Sequence, residues 1–206
     1  MKKIKILIPV LGLSIFTILS IGIHYRTTLF FDVPLLDLAR ELRSEHLTAF
    51  FTFITYCGNK QTIALICLVA LLNPRWKKDY GYFLSISAIL STLIYHMLKT
   101  LIKRPRPQLM SHLIIEQGYG FPSGHTMTSI VFFGIMIYLL RLHYGKKEKK
   151  ICLTITTASL SILIFLIPLS RIYLGVHYPS DILAGMALGV SLLFVMIEVH
   201  KKILKG

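Results

Sequence analysis

Residues 170–197 read SRIYLGVHYPSDILAGMALGVSLLFVMI, in which a short polar cluster leads directly into a long uncharged segment. The uncharged part, Ile182–Ile197, approaches the roughly 20 residues that a helix needs to cross a hydrocarbon core. Arg171, His177 and Asp181 stand immediately before it. Ionisable side chains at the end of a membrane helix indicate a functional site by default. This segment therefore predicts a membrane protein that carries polar chemistry at one end of a helix.

Comparable apolar segments recur along the whole chain, which is 54% hydrophobic and only 16% charged over 206 residues. A soluble domain has about a quarter of its residues charged. No linker or internal repeat separates the segments, so a single domain over residues 1–206 is expected. The apolar segment nearest the N-terminus is not followed by the A-x-A cleavage site of a signal peptide, so we expect it to be retained as a membrane helix. The further predicted spans are Ile6–Ile23, Tyr80–Leu98, Ser123–Leu140 and Ile151–Leu169, with a sixth at Gly58–Pro74 that Lys60 interrupts near one end.

The segment Asp32–Tyr56 differs from these spans because it mixes Leu and Phe with Asp37, Arg40, Glu41 and Arg43. Such a mixture indicates an amphipathic helix lying on a membrane surface. With six spans, both chain ends lie on the same side of the membrane. The sequence therefore predicts an all-α membrane protein, a six-transmembrane-helix bundle with an amphipathic helix on the outer surface.

The basic residues indicate which side is which, because Lys and Arg accumulate in short cytoplasmic segments. Of the 23 Lys and Arg residues, 14 fall in four short segments on the side of the termini. These are Lys2, Lys3 and Lys5; Arg75, Lys77 and Lys78; Arg141, Lys146, Lys147, Lys149 and Lys150; and Lys201, Lys202 and Lys205. We expect a multi-pass protein of the cell membrane with both termini in the cytoplasm. The net charge of +14 is then a consequence of topology, and no nucleic-acid partner is expected.

With this orientation, the remaining polar clusters meet at the outer face. They are Lys99–Pro107 after the third span, Pro122–His125 at the start of the fourth, and Ser170–Asp181 between the fifth and sixth. Cationic forks and free backbone N–H groups at a helix start both bind phosphate oxygens. The residues predicted to bind phosphate are Lys99, Arg106, Ser123, Gly124 and Arg171.

Two histidines and one carboxylate supply a reaction. Asp181 follows His177 by four residues, close enough in a helical turn to hold one ring nitrogen and leave the other as a nucleophile. We expect His177 to attack phosphorus and form a phosphohistidine. His125 would protonate the leaving oxygen and then activate water. The predicted catalytic residues are therefore His177, His125 and Asp181.

Other classes of protein fit these residues less well. His125, His177 and Asp181 could bind a metal ion, but three nearby cations would repel it, and no Cys, Glu or further Asp is expected in the cluster. We therefore expect no metal and no cofactor. An anion or lipid transporter would favour a site at the membrane midplane and internal repeats, and neither is evident.

The three motifs together closely resemble those of the type 2 phosphatidic acid phosphatases, a family of membrane lipid phosphate phosphatases. The family pattern K-x6-R-P, P-S-G-H and S-R-x5-H-x3-D matches Lys99 to Pro107, Pro122 to His125 and Ser170 to Asp181 without departure. The resemblance implies a six-helix bundle, metal-independent dephosphorylation and the same histidine roles. It leaves the lipid open among undecaprenyl diphosphate, phosphatidylglycerophosphate and phosphatidate. A lipid phosphotransferase remains an alternative, haloperoxidase activity conflicts with the membrane spans, and oligomeric state is undetermined.

Overall fold

The computed structural model describes residues 2–107, 112–145 and 150–204, and all the regular structure within them is helical. The predicted residues Lys146, Lys147, Lys149 and Lys205 lie outside this part of the chain. The helices are α1 (Lys2–Tyr25), α2 (Asp32–Glu41), α3 (Glu45–Cys57), α4 (Lys60–Leu72), α5 (Tyr82–Ile102), α6 (Gly124–Tyr144), α7 (Lys150–Tyr173) and α8 (Pro179–Ile203), with a π-helical turn at Lys77–Gly81 before α5.

Five of these helices (α1, α5, α6, α7 and α8) are long and apolar enough to cross a membrane. Helices α3 and α4 meet the same test together, although they are bent by 44° at Gly58–Asn59, and so give a sixth candidate span. The predicted all-α bundle of membrane helices is therefore confirmed, with a bent pair at the position of the sixth span.

The prediction of one amphipathic helix over Asp32–Tyr56 was wrong in its extent. The chain turns after α2, and Ser44 starts α3 by accepting a hydrogen bond from the backbone N–H of Leu47 at 3.3 Å. The 13 residues of α4 span only about 20 Å, whereas a hydrocarbon core is about 30 Å thick. Since α4 alone is too short, a sixth crossing needs residues of α3 as well. Only α2 remains as a separate short amphipathic helix.

The central helix of the bundle is α6, which packs against α5, α7 and α8. Small residues bring α8 close to it, because a Cβ on Gly185 would lie only 2.7 Å from the backbone oxygen of Ser123. The backbone N–H of Ser123 donates to the carbonyl of Asp181 at 3.0 Å, which joins the starts of α6 and α8. The C-terminal ends of α5 and α7 reach the same end of the bundle, so the three polar motifs converge there.

Candidate active site

A cavity of about 800 Å³ opens at this end of the bundle and extends down between α4 and α5. Its polar end is lined by Asn59, Lys99, Arg106, Glu116, His125 and His177. Its lower walls are apolar and include Ile63, Ala64, Leu68, Ala88, Ile89 and Leu93. A set of charges and imidazoles is thereby joined to an apolar groove on the side of the bundle.

His177 and Asp181 form the buried pair at the polar end. The turn between α7 and α8 places His177, and Gly175 permits that turn because its φ of 78° is in the left-handed region. The His177 Nδ1 lies 3.2 Å from Oδ2 of Asp181, and the Nε2 lies 3.2 Å from Nη1 of Arg106. A guanidinium can only donate and a carboxylate can only accept. The proton of His177 is therefore on Nδ1, and the lone pair is on Nε2.

The surroundings of His177 favour the neutral imidazole. Its side chain is 1% exposed. Burial lowers the pKa of His177 well below its ordinary value, and the charges on Arg106, Lys99 and Arg171 lower it further. A neutral ring with a lone pair on Nε2 is the form that can act as a nucleophile.

Three cations lie near the His177 ring: Arg106, Lys99 and Arg171. Arg106 donates to the carbonyls of Gly118 at 3.0 Å and Val176 at 2.8 Å, in addition to its contact with His177. Lys99 donates to the carbonyl of Tyr119 at 2.8 Å. Burial lowers the pKa of Arg106, while the nearby carboxylates oppose that shift.

Arg171 is the most deeply buried of the cations, with no solvent exposure. Its Nη1 donates to Oγ1 of Thr55 at 2.7 Å, and its Nη2 is paired with the carboxylate of Glu116. Its Nε has no hydrogen-bond partner within the described residues. A buried donor without an acceptor is costly, so this guanidinium has spare capacity for an anion.

The start of α6 supplies the third wall. Gly124 lines the cavity, and a Cβ there would lie only 2.8 Å from the ring of Tyr95, so no larger residue fits this approach. The Nε2 of His125 is 2.7 Å from Oδ1 of Asn59, which holds one ring nitrogen and leaves the other available. Ser123 is fully buried behind them. Its Oγ caps α6 by accepting from the N–H of Thr126 at 3.4 Å and from the Thr126 hydroxyl at 2.9 Å.

Comparison with known proteins places this site in a family. A family model described as the PAP2 superfamily matches residues 80–205, which include all three motifs. The chain belongs to the PAP2 superfamily. It is a multi-pass membrane lipid phosphatase of this type.

Two relatives resemble this PAP2 phosphatase over nearly its whole length. Phosphatidylglycerophosphatase B from Bacillus subtilis is 29% identical over 199 residues, which cover 95% of this chain and 96% of the relative. An undecaprenyl-diphosphatase from Sulfolobus acidocaldarius is 27% identical over 91% of this chain and 89% of its own. The crystal structure of a transmembrane PAP2-type phosphatidylglycerolphosphate phosphatase from Bacillus subtilis is similar with a TM-score of 0.82, at 27% identity over 95% of this chain and 96% of that one.

The predicted residues of this PAP2 phosphatase are brought together to different degrees. His125, His177, Lys99, Arg106 and Gly124 line one cavity. The other three lie behind its wall: Asp181 contacts His177, Arg171 reaches the cavity through Glu116, and Ser123 caps α6. Within the described ranges, no three His, Cys, Asp or Glu side chains converge as metal ligands.

The sequence reasoning missed two carboxylates at the site. No Glu or further Asp was expected there, yet Glu116 lies 3.4 Å from Arg106 and is also paired with Arg171. Asp32 lies behind the His177–Asp181 pair and is joined to Asp181 through Arg104. A lone acid between two basic motifs is the signal that could have indicated Glu116, since the segment from Lys99 to His125 contains no other carboxylate.

Proposed function

We propose that this PAP2 phosphatase hydrolyses a phosphomonoester or diphosphate of a membrane lipid through a phosphohistidine on His177, without a metal ion. The observation that carries the proposal is the neutral His177 ring, whose Nε2 lone pair lies beside Arg106 at the polar end of the cavity. The carboxylate of Asp181 stabilises the positive charge that develops on the ring during attack.

The reaction takes two displacements at phosphorus. Nε2 of His177 attacks, the bond from phosphorus to the lipid oxygen breaks, and that oxygen takes a proton from His125. A water molecule then gives a proton to His125 and attacks the same phosphorus. The phosphorus–nitrogen bond breaks and inorganic phosphate leaves. His125 acts as acid and then as base, while Asn59 holds one of its ring nitrogens.

The cations supply charge stabilisation. Negative charge spreads over three oxygens of the phosphoryl group as it moves between the two partners. Arg106, Lys99 and Arg171 present N–H donors to those oxygens, and the backbone N–H groups at Gly124 add the positive end of the α6 dipole. Protein contacts already position these cations, so little further reorganisation accompanies the reaction once the substrate has displaced Glu116 from Arg106 and Arg171.

The apolar groove between α4 and α5 supports a lipid as the substrate. Leu68, Ile89 and Leu93 line this groove and are more than half exposed, so a chain lying there would remain in contact with the bilayer. The names of the similar proteins point to phosphatidylglycerophosphate or undecaprenyl diphosphate. We propose one of these as the substrate, with phosphatidate next. The arrangement of basic residues supports a site on the outer face of the cell membrane.

The decisive experiment follows labelled phosphate. Purified protein with EDTA is mixed with each of the three lipids carrying a radiolabelled terminal phosphate, and samples are quenched in base, which preserves phosphohistidine. Wild-type protein should carry base-stable label that chases to inorganic phosphate, and His177→Ala should carry none. Turnover in His177→Ala, or a requirement for added divalent metal, would contradict the mechanism. Transfer of label to an added alcohol in place of water would identify a phosphotransferase.

A further inference from the structure

A second layer of buried charge lies behind the catalytic pair. Asp32, Arg104, Ser180 and Asp181 are all 2% exposed or less. They come from three places: the start of α2, the segment after α5 and the first turn of α8. None of the motif roles assigned above uses Arg104 or Asp32.

The guanidinium of Arg104 donates to four acceptors. Its Nη1 donates to Oγ of Ser180 at 2.8 Å and is paired with Oδ1 of Asp181. Its Nη2 donates to Oδ2 of Asp32 at 2.7 Å, and its Nε donates to the carbonyl of Thr27 at 2.9 Å. One cation is therefore shared between two buried carboxylates.

The Asp32 carboxylate also accepts several hydrogen bonds. Besides Arg104, its oxygens accept from the backbone N–H of Ser180 at 2.9 Å, the hydroxyl of Ser180 at 2.7 Å and the backbone N–H of Leu29 at 2.9 Å. The first turn of α8 is thus attached to α2 through Ser180, one residue before Asp181. The position of the Asp181 carboxylate is fixed from both sides.

We infer that Arg104 and Asp32 are positioning residues for the reaction, acting through Asp181 on His177. Asp181 has one oxygen on Arg104 and the other on Nδ1 of His177, so the series Asp32–Arg104–Asp181–His177 ends at the nucleophilic nitrogen. The guanidinium keeps the carboxylate of Asp181 ionised in a buried place and sets its angle. The Asp181 carboxylate in turn keeps the His177 proton on Nδ1. This inference rests on the proposed function of His177.

A buried ion pair can also be purely structural, so the test must separate the two roles. Breaking a buried pair destabilises a fold, which lowers the fraction of active protein. A positioning role instead lowers the rate constant of the molecules that remain folded. In a rapid-quench burst experiment with substrate in excess over enzyme, the amplitude of phosphohistidine reports the active fraction, and the rate constant of the burst reports the chemistry.

The variants are Arg104→Met, Arg104→Lys and Asp32→Asn, each measured with radiolabelled lipid phosphate. The matched control is Asp37→Asn, which breaks the exposed Asp37–Arg40 pair on the same helix as Asp32. We expect the rate constant of phosphohistidine formation to fall about 10- to 100-fold in Arg104→Met and Asp32→Asn, since small misplacements at a reacting centre cost this much. Arg104→Lys should recover part of the loss, and the control should match the wild type.

A double-variant comparison decides whether Arg104 acts through Asp181. If it does, Arg104→Met should slow the Asp181→Asn protein by no more than about threefold, because coupled residues are not additive. Rate losses that multiply, or an unchanged rate constant with a lowered amplitude in both Arg104→Met and Asp32→Asn, would overturn the inference. Those results leave His177 phosphorylation in the wild type intact, so they are distinct from a failure of the proposed function.

Discussion

The protonation of His177 depends on which neighbours can donate and which can accept. Arg106 can only donate, so the ring nitrogen facing it must carry a lone pair, and the N–H of the other ring nitrogen donates to the carboxylate of Asp181. Burial and the surrounding cations disfavour a second proton. The arrangement that leaves a lone pair on Nε2 therefore also sets the response of His177 to pH.

We expect the His177 ring to stay neutral as the pH falls through about 6.5, the pKa of an unperturbed histidine. Because the unfolded chain takes up a proton there and the folded chain does not, this residue lowers the stability of the folded state below that pH. The check is a pH titration of histidine-selective ¹⁵N resonances in detergent, with His177→Asn used to assign the signal. Half-protonation at pH 6.5 or above would contradict the expectation.

Glu116 places a carboxylate between Arg106 and Arg171, where a phosphate is proposed to bind. A substrate must displace that carboxylate before its oxygens reach the two guanidinium groups. We expect Glu116→Gln to lower the inhibition constant for inorganic phosphate about tenfold, equivalent to about 1.4 kcal/mol. The control is Glu45→Gln, an exposed acid on α3. A weaker phosphate affinity in Glu116→Gln would mean that the carboxylate aligns the cations instead of competing.

Sequence motifs identified residues that line one cavity, because each has a chemical type that the proposed reaction needs. They did not identify Asn59, Glu116 or Asp32. Asn59 and Asp32 have no local pattern that distinguishes them from ordinary helix-start residues, and Glu116 is marked only by being the lone acid between two basic motifs. Asn59 is 66 positions from His125, Glu116 is 55 positions from Arg171, and Asp32 is 72 positions from Arg104. Only the fold brings these pairs together.

At the level of elements, the broken span is the feature that local sequence predicted least well. Charges before Ser44 and scattered Thr residues in α3 gave the whole segment 32–56 a surface pattern. One of those polar residues, Thr55, faces inward to accept from Arg171. Gly58 lies at the bend, and its lack of a side chain lets the bend pack closely against α7, because a Cβ there would lie 2.9 Å from Ile167. The bend leaves Asn59 at the start of α4, beside His125.

The contact between Asn59 and His125 predicts that the bend affects turnover. Removing the amide in Asn59→Ala leaves His125 without the partner of its Nε2, and one lost hydrogen bond corresponds to about 1 kcal/mol. We expect kcat to fall about fivefold to tenfold with little change in KM, because the proton transfers become misaligned. Asn73→Ala at the other end of α4 is the matched control and should keep normal turnover. Equal effects of the two variants would exclude a role for the bend in orienting His125.

Considered as a whole, the molecule divides its site between two parts of the chain. The family model covers residues 80–205, which hold the three motifs. The helices before it contribute one partner to each motif: Asp32 to Arg104, Asn59 to His125 and Thr55 to Arg171. The part of the chain from α2 to the start of α4 therefore does more than anchor the site in a bilayer. It supplies hydrogen-bond partners to the residues that we propose carry out the chemistry.

The orientation of the protein in the membrane can be tested by labelling single cysteines at the two ends of the bundle. The basic turn between α4 and α5 is at the end of the bundle away from the site, so the two ends should lie on opposite sides of the membrane. In a background in which Cys57, Cys67 and Cys152 are replaced by serine, single cysteines are introduced as Gln117→Cys beside the site and Arg75→Cys at the far end. We expect a membrane-impermeant maleimide to label Gln117→Cys in intact spheroplasts, and to label Arg75→Cys only after permeabilisation. The reverse pattern would place the site in the cytoplasm and exclude lipids presented at the outer face as its substrates.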